Sequence, residues 1–215
     1  MSSILRSRSD LSLALDSGDL QRIVSSLEEI SARGDLSEEE SISLGVALML
    51  PPIDDGEAAS MQLAKAMDGP RAFEAAVWDV YRYVYCYPDE IERAAATLRD
   101  HPKSAVACHM LSLLAIHEGD YEIAKELNSQ SRQARTFPAN AIVALENGWA
   151  TDVDAEVAKL HALLVTTDAE QDPNPSTVAG WLEARWANLV LGTRLSSVYW
   201  QAVVENVLSA ERSAR

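Results

Sequence analysis

At 215 residues, with 47% hydrophobic and 24% charged positions, the chain has the composition of a globular protein with a sizeable core, which excludes a disordered segment. Its formal charge of −15 and sequence pI near 4.6 repel nucleic-acid phosphates and attract basic partners, or at the least keep the chain soluble. No apolar run approaches a membrane span and the N-terminal stretch lacks a signal-peptide core, so the expected setting is the cytoplasm, away from membranes.

Taken in chain order, the helical segments are separated by regularly placed breakers. The first break is Gly18-Asp19 inside "LALDSGDLQRIVSSLEEI". A second helix opens at "SEEESISLGVALML", where Ser37 is the expected N-cap and the glutamates behind it suit the positive end of the helix dipole. It breaks at "PPIDDGEAA". From there Pro70, Pro102, Pro138 and Pro173, spaced by 32, 36 and 35 residues, each precede a helical segment. Proline is tolerated in a first helical turn because its missing N–H has no intrahelical partner there. The intervening midpoints are Pro88-Asp89, Gly119-Asp120, the stretch from Gly148 to Asp152, and Gly192-Thr193.

The segment "VWDVYRYVYCYP" stands apart, with tyrosine at every second position from Tyr81 to Tyr87. That alternation is a strand pattern. An isolated strand would have no partner for its backbone, however, and Phe73, Val77, Val80 and Val84 beside Trp78, Tyr81 and Tyr85 form a broad helical stripe. The segment is read as helix, with Asp79, Tyr83 and Tyr87 on a second face.

Six units of about 35 residues, each helix–turn–helix, result. A shift of 34 residues lays Ala105 on Ala139, Ala107 on Ala141, Leu111 on Leu145 and Ala124 on Ala158. The expected fold is all-α, an α-solenoid of about six antiparallel helical hairpins. Residues 1–168 form the array. Residues 169–215 form an aromatic-rich hairpin, continuous with it, whose helices follow the linker-like "DAEQDPNPST" and in which Trp181, Trp186, Tyr199 and Trp200 build a cap or an assembly surface. The oligomeric state is not legible.

Trp78-x2-Tyr81-Arg82-x2-Tyr85, then Ala94-x3-Leu98, then Pro102, resembles the tetratricopeptide repeat pattern, with Tyr81-Arg82 in place of Leu-Gly and an early closing proline. The turn "EGDYEIA" and the pair Leu44-Gly45 extend the resemblance over roughly residues 37 to 168. The resemblance implies that first helices line a concave groove. In phase, its positions are Glu39, Ile42, Val46, Met49 and Leu50, then Ala76, Asp79, Tyr83, Cys86 and Tyr87, then Val106, His109, Leu113, Ile116 and His117.

Signs of chemistry are sparse. Cys86 and Cys108 have neither a redox nor a metal spacing, and His109 and His117 lie two turns apart on one helix face. No nucleophile elbow, phosphate loop or dinucleotide fingerprint is present, so no cofactor or metal is expected. Arg132 and Arg135 read as a solvated helix end. The expectation is a non-catalytic module that binds a basic protein or peptide through Asp79, Tyr83, Tyr87, His109, Leu113, Ile116 and His117, as an inhibitor, immunity protein or chaperone would. The alternative is a ligand sensor or enzyme, in which His109 and His117 would titrate abnormally beside a cavity inside the superhelix.

Overall fold

The structure, a computed structural model, describes residues 9–11, 13–14, 19–49, 53–85 and 90–159. Every described regular element is helical. These residues belong to two compact units that meet in sequence after Pro102. The expected boundary at residue 168 lies outside the described residues.

The first unit holds α1 (Leu20–Ser31), α2 (Glu38–Met49), α3 (Gly56–Ala66), α4 (Ala72–Tyr85) and α5 (Glu92–Arg99). Asp19 caps α1, accepting from the Arg22 N–H, and the buried residues Ile23, Val24, Leu27 and Ile30 form its one apolar stripe. The helix α2 begins with a capping box. The Glu40 N–H donates to Ser37 Oγ at 3.2 Å, and the Ser37 N–H donates back to Glu40 Oε2 at 2.9 Å. From Ser41 to Met49 every residue of α2 is buried, so neighbours enclose it on all sides. Helix α3 starts behind Asp55, which accepts from the Ala58 N–H at 2.9 Å.

Helix α2 packs against α3 and α3 against α4, while α4 pairs with α5; α2 also touches α4 directly. The closest approach between α2 and α3 is at Gly45. A Cβ there would sit 2.8 Å from Leu63 Cγ and 3.2 Å from the Ala59 carbonyl, so only glycine lets the two helices come this near. Between α3 and α4 the chain turns at Gly69, whose missing side chain leaves room for the Glu38 carboxylate. That carboxylate accepts from the Arg71 N–H at 3.3 Å. The Arg71 side chain pairs in turn with Glu39 at 3.1 Å and with Glu74 through Nε at 2.8 Å. Acidic residues that favour the start of α2 thus also hold the entrance to α4. The tyrosine-rich segment is helical, as its apolar stripe predicts: Trp78 is buried and meets the half-buried Tyr81 edge-on at 6.0 Å. Beyond α5, His101 packs edge-on against Phe73 at 4.8 Å.

The second unit holds α6 (Ala105–Glu118), α7 (Tyr121–Ala134), α8 (Pro138–Glu146) and helical residues 153–159. Ser104 caps α6 through the Ala107 N–H at 3.3 Å. Gly119 ends it at φ 86°, a left-handed conformation that releases the chain into the Gly119-Asp120 break. Two buried hydroxyls then fix how α7 returns along α6. Ser112 donates to the Ala124 carbonyl at 2.8 Å and Ser131 to the Ala105 carbonyl at 2.7 Å. Going up one helix from Ala105 to Ser112 corresponds to going down the other from Ser131 to Ala124, which makes the pair an antiparallel hairpin.

Asn140, fully buried in the first turn of α8, ties that helix to α7. Its Nδ2 donates to Ser131 Oγ at 2.8 Å and to the Arg135 carbonyl at 2.9 Å, while its Oδ1 accepts from the Phe137 N–H at 3.0 Å. Asn128 of α7 donates to the Asn140 carbonyl at 2.9 Å. Every polar atom of the Asn140 amide is therefore satisfied, which is the condition for burying it without a large penalty. Pro138 occupies the first turn of α8, and Pro70 and Pro102 precede α4 and α6, in line with the predicted punctuation. The breaks expected at Pro88-Asp89 and Gly192-Thr193 lie outside the described residues.

Arg132 departs from its reading as a solvated helix end. It lies half-buried, its guanidinium 2.6 Å from the buried Glu156 carboxylate, to which Lys159 also comes within 3.2 Å. The acceptor sits more than twenty residues downstream, beyond the reach of a reading confined to one helix.

Candidate functional site

The faces predicted to line a groove come from α2, α4 and α6, the first helices of their pairs. On α2, Ile42, Val46 and Met49 are buried and only Glu39 reaches solvent, engaged with Arg71. On α4, Ala76 and Asp79 are buried as well. Asp79 sits one helical turn before Arg82, which donates through Nε to Asp79 Oδ1 at 2.7 Å; Asp79 is 5% exposed and Arg82 0%. Within a low-dielectric interior these two charges stabilise one another, and neither presents itself to a partner. Tyr83, one further turn along, is half-buried and does reach the surface. Leu50, Cys86 and Tyr87 lie outside the described residues.

On α6 the predicted stripe runs from the interior to the surface. His109 is 2% exposed and Leu113 8%; Val106 and Ile116 are half-buried, and His117 is exposed. The two histidines share a helix face, as their spacing requires, but only one of them meets solvent. His109 meets the ring of Phe137 edge-on, with centroids 5.3 Å apart and planes at 90°. Its Nδ1 has no hydrogen-bond partner. Burial alone pushes its pKa down to about 4, because nothing there compensates the charge of an imidazolium. Burial likewise raises the pKa of the adjacent Cys108 thiol.

That depressed pKa fits the packed interior and lends no weight to a ligand cavity, since Phe137 fills the space next to the ring. A concavity of about 680 Å³ in this unit lies along α7 and is lined by Glu122, Ile123, Glu126, Gln130 and neighbours, with none of the predicted face residues. Among the described residues, no three His, Cys, Asp or Glu side chains converge as metal ligands would. Nor is any described helix long and apolar enough to cross a membrane. Trp181, Trp186, Tyr199 and Trp200, expected to form the cap or assembly surface, lie outside the described residues.

The predicted site therefore separates into interior and surface groups. Asp79, His109 and Leu113 pack inside their own units. Tyr83 on α4 and Ile116 on α6 are half-buried and His117 on α6 is exposed, each within its own unit. Sequence reasoning missed Arg82 as the partner of Asp79, although a spacing of three on one helix was the signal for it. It also missed Phe137 and Asn140, whose roles depend on contacts between helices. No protein-family model, characterised protein or solved structure matches this chain.

Proposed function

We propose that the chain is a non-catalytic, tetratricopeptide-like α-solenoid of about six hairpins that binds a basic protein or peptide on the exposed positions of its first helices. The observation that carries this reading is the formal charge of −15 on a chain whose described helices pack sequentially, each against the next within its unit. Such a surface steers basic partners in and suppresses acidic ones. The direct contact of α2 with α4, the first helices of successive pairs, supports stacked hairpins in the first unit. Tyr83 supplies an aromatic with a polar tip, a residue type that carries large contact area with few rotatable bonds. Ile116 and His117 offer an apolar and a polar group side by side at the open end of the α6 stripe. In its sharpest form, the reading is of a dedicated inhibitor, immunity protein or chaperone for a basic domain.

The test is affinity capture from native cytoplasmic lysate, with wild type beside Tyr83→Ala and an Ile116→Ala/His117→Ala double variant, and mass spectrometry of what is retained. A basic protein held by wild type and lost from either variant supports the reading. The same proteins held by all three chains would remove these faces from it.

A further inference from the structure

His109 takes no part in the binding face, yet it occupies a decisive place in the second unit. It lies on α6, against the residue that leads into α8. Phe137 touches the imidazole with its ring and, through its N–H, binds Asn140 Oδ1 in the first turn of α8. The entrance to α8 is thus held from two sides. One hold is the amide network of Asn128, Asn140 and Ser131, which carries no titratable group. The other is the aromatic contact to His109, which can be charged.

Among the described residues, the surroundings of His109 favour the neutral ring. The face that α7 turns toward α6 presents Ala124, Asn128 and Ser131, none of which ionises. The first turn of α8 presents Asn140, whose oxygen already accepts from Phe137. On α6 itself the buried titratable neighbour is Cys108, which burial keeps as the neutral thiol, and His117 lies two turns away at the exposed end. Among the described charged groups, Arg132 and Lys159 pair with Glu156, Glu146 stands at the far end of α8, and Arg135, two residues before Phe137, is exposed and meets Asn140 through its backbone carbonyl. In addition, the N-terminal end of α8 carries a partial positive charge, which disfavours a cation beside it.

We infer that His109 is an acid-sensitive latch for α8: the neutral imidazole keeps Phe137 and α8 seated on the α6–α7 hairpin, and its protonation releases them. The hairpin itself stays closed through Ser112 and Ser131, whose bonds to backbone carbonyls do not titrate. Release uncovers the buried apolar residues Ala141, Ile142, Ala144 and Leu145 of α8. Proton linkage sets the size of the effect. With a pKa of about 4 when seated and an ordinary value of 6.5 when released, the open fraction rises about 30-fold between about pH 7.5 and about pH 5.

The test is hydrogen exchange by mass spectrometry on the full chain at those two pH values, corrected for intrinsic exchange rates, for wild type and His109→Gln. In wild type, peptides over 137–146 should lose about 30-fold in protection at the lower pH while those over α2 and α3 hold theirs. In His109→Gln the acid-induced loss should vanish. Equal wild-type protection of 137–146 at both pH values overturns the latch, as does the same acid loss in the variant. Should His109→Gln not fold, the ring carbon signals of wild-type His109 decide by NMR. Titration near the ordinary histidine value in the folded chain overturns the inference; titration well below it, accompanied by loss of the 137–146 amide signals, supports it.

Discussion

Arg82 donates to Asp79 across one turn of α4 at 2.7 Å, and both side chains are shut away from solvent. The relationship turns a residue expected to face a partner into part of the interior. Asp79→Ala would take from the fully buried Arg82 guanidinium the carboxylate that its Nε donates to, and the expected loss is about 3 to 5 kcal/mol. Replacing both members by apolar residues of similar volume, as in Asp79→Leu with Arg82→Met, should be far milder than either single change. Urea unfolding of the three variants measures this. A double variant as unstable as the worse single one would show that the pair is held by more than its mutual charge.

Gly45 sets the distance between α2 and α3. Alanine there gains about 1 kcal/mol in helix propensity but drives a methyl into Leu63 and toward the Ala59 carbonyl. Leu63 is fully buried and has little freedom to move, so overpacking of about 1 to 3 kcal/mol should outweigh the gain. Gly45→Ala is expected to lower the thermal midpoint, and Gly45→Val to do so more severely.

Asn140 makes four hydrogen bonds, with Asn128, Ser131 and Arg135 on the α7 side and with Phe137 at the entrance to α8. Three of them use its side-chain amide and would be lost in Asn140→Leu, leaving the Phe137 N–H, the Arg135 carbonyl and Ser131 Oγ each without that partner. Unsatisfied buried groups cost about 1 to 3 kcal/mol each, reduced where water enters, so a total loss of about 3 kcal/mol is expected. Asn140→Asp is no rescue, because a carboxylate cannot donate to Ser131 Oγ or to the Arg135 carbonyl. Chemical denaturation of both variants provides the check.

Global stability should depend on pH through His109. Its folded pKa, about 4, lies below the ordinary 6.5, so the unfolded chain binds the proton more readily. The contribution is fully present above about pH 6.5 and is lost as pH falls toward 4. Over that window it amounts to about 3 kcal/mol. Denaturation midpoints of wild type measured across the window should fall more steeply than those of His109→Gln. Parallel curves would assign the acid sensitivity to carboxylates instead.

Much of the local structure was legible in the sequence. Ser37 as the cap of α2, the stop at Gly119, the prolines before α4 and α6 and the proline in the first turn of α8 each follow from chemistry confined to a few neighbouring residues. The helix through Trp78 and Tyr81 was legible too, because its apolar stripe outweighed the alternation of tyrosines. The face each helix turns outward was much harder to read. Helix α6 is buried from Ala107 to Cys108, His109, Met110 and on through Ser112 to Ala115, positions that together span its whole circumference. A helix enclosed on all sides has no polar phase from which to choose a surface, so a family pattern laid over it could not reveal that His109 and Leu113 point inward. The same holds for Ile42, Val46 and Met49 in α2. Arg132 shows the other limit: its partner Glu156 becomes visible only when residues 153–159 are brought to it in space.

Recruitment of a basic partner by an acidic helical surface should weaken as salt screens the charges. The measurement is the dissociation constant of the captured partner at about 50 and about 200 mM salt, at neutral pH, for wild type and Tyr83→Ala. Wild-type affinity should weaken by at least about tenfold over that range, with Tyr83→Ala weaker at both concentrations. An affinity that ignores salt, or a partner as acidic as the chain itself, would contradict it.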